Sequence, residues 1–367
     1  MSYASLQQTV QQNCDISDAR DNGIFSMCIL FLRLRNLFKW EKGLAPWEEP
    51  EPADLLGWID DKEKLWSSIR SSDFLHLPVN GRAVEPFLVD TVNHYLADTS
   101  LLYGAGFGRS MKAVFFLAAK VEERIEQGCK VIILDREEAR ELASPFAMSQ
   151  DGSVYFRKEP FRFFLWDRIC EPKPSGKKGL QFTLDSYGVL EKNGQVNLAG
   201  LKNTMNTIVD QEMTPIIYHE ICETMVAGYL GETLKHIAVH LPGTTVEFFA
   251  RALKDVLADT GPHGMLDHII AGQKKSSLGF YVAFMDGMRN ILSQQTIEAC
   301  GHFFQSGDWQ SVEAARNSCY HENTHRAEKL LALCRDLNPD TADLVKSRVD
   351  TDLISPLGFL SSVSADA

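Results

Sequence analysis

The sequence predicts an α+β protein, with a mixed α/β N-terminal part followed by an all-α helical C-terminal part. Three observations carry this. Short β-branched runs such as Cys129-Lys-Val-Ile-Ile-Leu-Asp135 occur only in the first half. From about residue 214 onward nearly every segment repeats its apolar residues at helical spacing; Phe248, Phe249, Ala252, Leu253, Val256 and Leu257 are the clearest set. Strands and helices segregated along a chain point to α+β rather than to alternating α/β units. Signals over 180–206 are weak, so the expected domains are an α+β unit over 1–206 and an α-helical unit with a polar tail over 207–367.

The 367 residues, 44% hydrophobic and 23% charged, suffice for a sizeable core and more than one domain. A net charge of −12 argues against nucleic-acid binding, because phosphate affinity comes from lysine and arginine. Eight cysteines include no CxxC pair, which excludes a zinc ribbon or thioredoxin-like motif. Scattered thiols with no leader-like segment before them read as reduced and cytoplasmic. The small-molecule or protein partner and the oligomeric state are not legible.

Taken in order, residues 1–22 are polar and predicted to be loosely held. A helix follows over 24–40, with Phe25, Leu30, Leu34, Leu37 and Phe38 as its apolar set and Gly43 as a left-handed cap. Its run Met27–Leu32 is broken by Arg33 and Arg35, well short of the ~18 apolar residues a membrane span needs. An acidic, proline-rich linker over 46–52 precedes a second helix over 53–69. Residues 110–127 fit either a helix or a hairpin partner for the strand at 129–135. Arg136–Ala143 reads as helix, whereas Ser153–Phe156 and Phe161–Trp166 read as strands flanking Pro160.

In the second half, Pro215 marks a helix start, since proline is favoured at the first helical position. Gly228–Gly231 reads as a turn, with a further helix over Glu232–Leu241. Thr244-Thr-Val-Glu247 is a capping box opening a helix that stops at Gly261-Pro262. Helices follow at about 263–271, 277–293, 296–305 and 308–337.

Eight of the ten histidines lie between 219 and 325. In His219-Glu220-Ile-Cys-Glu223, His219 and Glu223 are i and i+4 and share one helix face. That spacing grips an ion, with Glu220 alongside as general base. The stretch resembles the HExxH motif of zinc metallopeptidases with glutamate for the second histidine. A Glu/His set suits zinc, iron or manganese. With a turn at 228–231 the flanking helices run antiparallel, and His240 and His236 then oppose His219 and Glu223. The expected metal ligands are therefore His219, Glu223, His236 and His240, with Glu220 catalytic, in a metal-dependent hydrolase or oxidase. The alternative is a non-catalytic interaction or regulatory protein whose His/Glu cluster is structural.

Other motifs compete less well. His321-Glu322-Asn-Thr-His325 spells HExxH in full, but its histidines point away from the apolar stripe Val312, Cys319, Ala327, Leu330 and Cys334. Gly104-Ala-Gly-Phe-Gly-Arg-Ser110 lacks the third glycine of a dinucleotide loop; a structural turn is the expectation, an anion site the alternative. Tyr155, Arg157, Arg162, Arg168, Lys173, Lys177 and Lys178 form a basic, aromatic-interleaved stretch that acidic neighbours dilute.

The spacing of His219, Glu223, His236, His240 and His263 resembles the hemerythrin ligand pattern, but lacks a histidine on a preceding helix and inserts a helix over Thr244–Thr260. More broadly, Leu34–Gly43, Tyr218–Glu223, Glu247–Asp259 and Ser277–Phe284 resemble an uncharacterised family of bacterial cytoplasmic proteins. That resemblance implies no activity and no catalytic residue.

Overall fold

In the computed structural model, which describes residues 3–108, 111–150 and 152–358, the N-terminal segment is not loosely held. Tyr3–Asp21 form helix α1. Leu6, Val10 and Cys14, four residues apart, pack on Tyr103, Phe115 and Leu117. The rest of its docking face is polar. Asn13 both donates to and accepts from the backbone of Leu75, and Asp18 accepts from the Leu142 amide. Fully buried Asp18 also pairs with buried Lys112 at 2.8 Å. Buried polar groups need such partners, and apolar periodicity does not register them.

Helices α2 (Met27–Glu41) and α3 (Pro52–Ile69) follow as predicted, and Gly43 has a φ of 68°. A short ribbon of β1 (Leu77–Val79) and β2 (Arg82–Val84) and helix α4 (Val89–Leu96) lead to the main sheet. That sheet has the order β3-β4-β5-β7-β6, with β3 Leu101–Phe107, β4 Ala113–Glu126, β5 Cys129–Arg140, β6 Ala147–Gln150 and β7 Ser153–Arg157. Its pairs are antiparallel except β5–β7.

Of the two readings of 110–127, the hairpin forms. Glu126 pairs with Cys129 across Gln127 and Gly128, whose φ values of 51° and 79° are those of the twist-matched two-residue turn. The helix expected at Arg136–Ala143 is corrected: β5 runs to Arg140, pairing with Phe116–Ala118 of β4. Its charged residues hid the alternation, because Glu137 is a buried acid bonded to fully buried Arg157 at 2.6 Å. The strand expected at Phe161–Trp166 is instead part of helix α5 (Lys158–Cys170). Phe161, Leu165 and Ile169 are buried at spacings of four, and the apolar residues between them mask that period.

The chain divides into two compact units between Asp167 and Arg168. The second is helical: α6 Lys177–Ser186, α7 Leu198–His240, α8 Thr245–Thr260, α9 Met265–Ala271, α10 Lys275–Phe284, α11 Gly287–Leu292, α12 Gln294–Ser306, α13 Trp309–Leu333 and α14 Ala342–Val349. Residue 206, where the sequence reading ended the first domain, lies within α7. Asn197 caps α7 by accepting from the Gly200 amide at 2.9 Å. With 43 residues α7 is roughly 65 Å long. Pro215 does not start this helix, and Gly228–Gly231 do not turn it. The buried stripe Cys222, Val226, Leu230, Ile237 and Leu241, with Leu234 packed beside it, runs through the glycines without a break.

The chain turns at Leu241–Thr244 and returns as α8 antiparallel to α7, so that His219 meets Asp259 and Glu223 meets Lys254. The capping box forms, with Thr244 accepting from the Glu247 amide and Glu247 reaching back to the Gly243 amide. Val246, Phe249, Leu253, Val256 and Leu257 of α8 are buried against α7, α13 and α14. No helix among the described residues is long and apolar enough to cross a membrane.

Candidate metal centre

The antiparallel contact of α7 and α8 builds a charged cluster from the residues the sequence singled out and from four it did not. His219 and Glu223 share a face of α7 as their spacing requires. Opposite them, α8 presents Lys254, Asp255 and Asp259, and α11 adds Arg289. Fully buried Asp259 accepts from His219 Nδ1 at 2.7 Å and from Arg289 Nη2 at 2.7 Å. A carboxylate only accepts, so Nδ1 carries a proton, and the Nε2 edge turns to Glu223, 3.5 Å away, to which it donates when the ring is doubly protonated. Lys254 Nζ donates to Glu223 Oε1 at 2.7 Å. His219, Glu223 and Asp255 each present one ligand atom, all within 4.8 Å of one another.

The electrostatics follow from burial and pairing. Burial disfavours charge on His219, but the Asp259 carboxylate outweighs it and holds the imidazole well above its ordinary pKa. Burial also works against ionised Glu223, yet the hydrogen bonds from His219 and Lys254 bring it down to about 2. Asp259 is held low by Arg289 and His219 against its burial. Asp255 goes the other way: burial raises it, and Arg289, His219 and Lys254 offset only part of that. Glu220 is buried, and burial together with the Glu223 charge pushes it up to about 7. The neighbouring Cys222 thiol is raised by burial to about 11, which makes it a packing residue rather than a nucleophile.

His236 and His240 do not join this cluster. They lie on the same continuous helix, the nearer one about 20 Å along the axis from Glu223. His236 is exposed and His240 half-buried, and their rings are 6.3 Å apart. The expected hairpin exists but closes one helix later than its glycines implied, so Asp259 and Asp255 occupy the opposing positions. A sequence signal for these acids was present. Asp255 and Asp259 fall in the last turns of α8, where the helix dipole disfavours negative side chains.

The remaining motifs resolve differently. His321, Glu322 and His325 are exposed on α13, as their phase predicts. Gly104 and Gly106 belong to strand β3 rather than to a turn; a methyl group on Gly104 would stand 2.1 Å from the Phe116 ring, so glycine is there for cross-strand packing. Arg109 and Ser110 lie outside the described residues. In the basic stretch, Arg157 is buried against Glu137, Arg162 pairs with Asp135, and Lys173 and Arg168 both pair with Asp286.

Residues 5–157 match the N-terminal domain, and residues 162–352 the C-terminal domain, of a family of unknown function, DUF6866. No curated protein and no solved structure matches the chain.

Proposed function

The chain belongs to the DUF6866 family, whose function is unknown, and we propose from the α7–α8 seam that it binds one divalent metal ion and acts as a metal-dependent hydrolase. His219 Nε2, Glu223 and Asp255 are the ligands. The observation that carries this reading is the Asp259–His219 hydrogen bond of 2.7 Å, which orients the ring and turns Nε2 to Glu223, with Asp255 in the same cluster; the metal takes the place of the Nε2 proton. Metal-bound histidines are oriented in this way by a carboxylate on the other ring nitrogen. One imidazole and two carboxylates suit zinc, iron or manganese and leave positions open for water. Glu220, with a pKa near 7, is matched to take a proton from that water. A redox-active ion in the same site supports the oxidase variant.

A second reading has its own observation. Lys254 and Arg289 already pair with Glu223 and Asp259, so the cluster also works as an ion-pair staple between α7, α8 and α11, in a chain whose role is interaction rather than catalysis. Elemental analysis after gentle purification separates the two. The metal reading expects a near-stoichiometric ion in the wild type, lost in His219→Ala and retained in His236→Ala and His240→Ala. Metal-free wild-type protein would leave only the staple.

A further inference from the structure

Lys254 stands where a metal-bound centre has no use for a cation. Its ammonium donates to Glu223 Oε1 at 2.7 Å and lies 3.9 Å from Asp255 Oδ1, within ion-pair reach of both carboxylates assigned as ligands. Arg289 bonds the orienting residue Asp259 and neither ligand. A divalent ion held by Glu223 and Asp255 would meet the ammonium almost at contact, where like charges in a half-buried site repel strongly. Lysine can yield where arginine cannot. It is a compact charge on a flexible four-carbon stem, and its side chain here is 22% exposed, which gives the head a path to water.

Resting on the metal reading above, we infer that Lys254 is a tethered counter-ion that exchanges with the metal. It holds Glu223 and Asp255 together and charge-balanced before loading, and it swings to solvent when the ion enters. The seam thus stays folded in both states, and the affinity for metal is set by a competing group built into α8.

Calorimetric titration of zinc or manganese into the full chain tests this. Lys254→Met removes the competitor, so metal binds at least about tenfold more tightly than to the wild type. Lys254→Gln, which keeps a hydrogen bond to Glu223, serves the same end if the methionine variant does not fold. Lys254→Arg keeps the charge and gains nothing, and Arg289→Met, which removes a charge from Asp259 rather than from the ligands, binds more weakly than the wild type. Equal or weaker binding by both uncharged Lys254 variants, with the wild type binding, overturns the exchange but not the metal site. Equal tightening in Arg289→Met overturns it too, as a bulk charge effect. No binding by any chain overturns the metal reading and the exchange together.

Discussion

Glu220 and Glu223 belong to one charged cluster but differ in environment. Glu223 is hydrogen-bonded to Lys254 and stays ionised, while Glu220, buried and beside that charge, holds its proton up to about 7. A carboxyl whose folded pKa lies above its unfolded value favours the protonated folded state. Its contribution is fully present below about pH 4.5 and lost as pH rises through about 7. Glu220→Gln, neutral throughout, is therefore close to wild type in stability at pH 5. At pH 8.5 it is more stable, by up to about 3 kcal/mol. Urea unfolding at the two pH values measures this, and an effect independent of pH would mean that Glu220 is not the group that titrates.

The same residue scale explains what was legible in the site. His219, Glu220 and Glu223 were found because three chemistry-bearing side chains crowd five positions and the i, i+4 spacing fixes their face. Asp255 and Asp259 were not, because they stand beside the apolar positions of an amphipathic helix with no motif spacing to single them out. The structure buries Asp259 completely, and a buried acid is intelligible only once its partners His219 and Arg289 are known.

At the scale of elements, the informative difference is α7. Gly228 and Gly231 predict a turn, but glycine in a helix interior costs only about 1 kcal/mol relative to alanine. A buried stripe from Cys222 to Leu241 outweighs that. Gly228 is exposed on α7 with open space where a Cβ would go, so Gly228→Ala stabilises the protein by about 1 kcal/mol. Gly179 of α6 is the opposite case. A methyl group there would stand 2.5 Å from the Gly279 carbonyl oxygen of α10, so Gly179→Ala destabilises by about 2 kcal/mol or more. Thermal unfolding of the pair checks both signs; a loss in Gly228→Ala would show that the helix does bend there.

Helix α1 and strand β5 make the complementary point. Both carry charged or amide side chains on the faces they bury: Gln11 bonds both backbone groups of Arg140, and Glu137 bonds Arg157. Pattern reading equates polar with exposed, so it leaves α1 loose and turns the end of β5 into helix. Where the buried face is apolar, as at Val246, Phe249, Leu253, Val256 and Leu257 of α8 or the Val131–Leu134 core of β5, the sequence pattern and the structure agree.

For the whole molecule, the α+β class followed from how strand and helix patterns are segregated along the chain, a property that survives errors in single elements. The partner of the His219 face did not follow, because moving one turn from 228–231 to 241–244 replaces every opposing residue. The site lies wholly within the helical unit, on three helices whose packing is set by α8. It should therefore respond to changes at that seam and not to His236 or His240 farther along α7. The most direct measurement is anomalous diffraction at the zinc or manganese absorption edge from crystals of the full chain grown with that ion. The expected result is one peak about 2.0–2.2 Å from His219 Nε2 and from oxygens of Glu223 and Asp255, with Lys254 turned outward and the peak absent in His219→Ala. A peak elsewhere, or none with Lys254 still on Glu223, would contradict the metal centre and leave an ion-pair staple in its place.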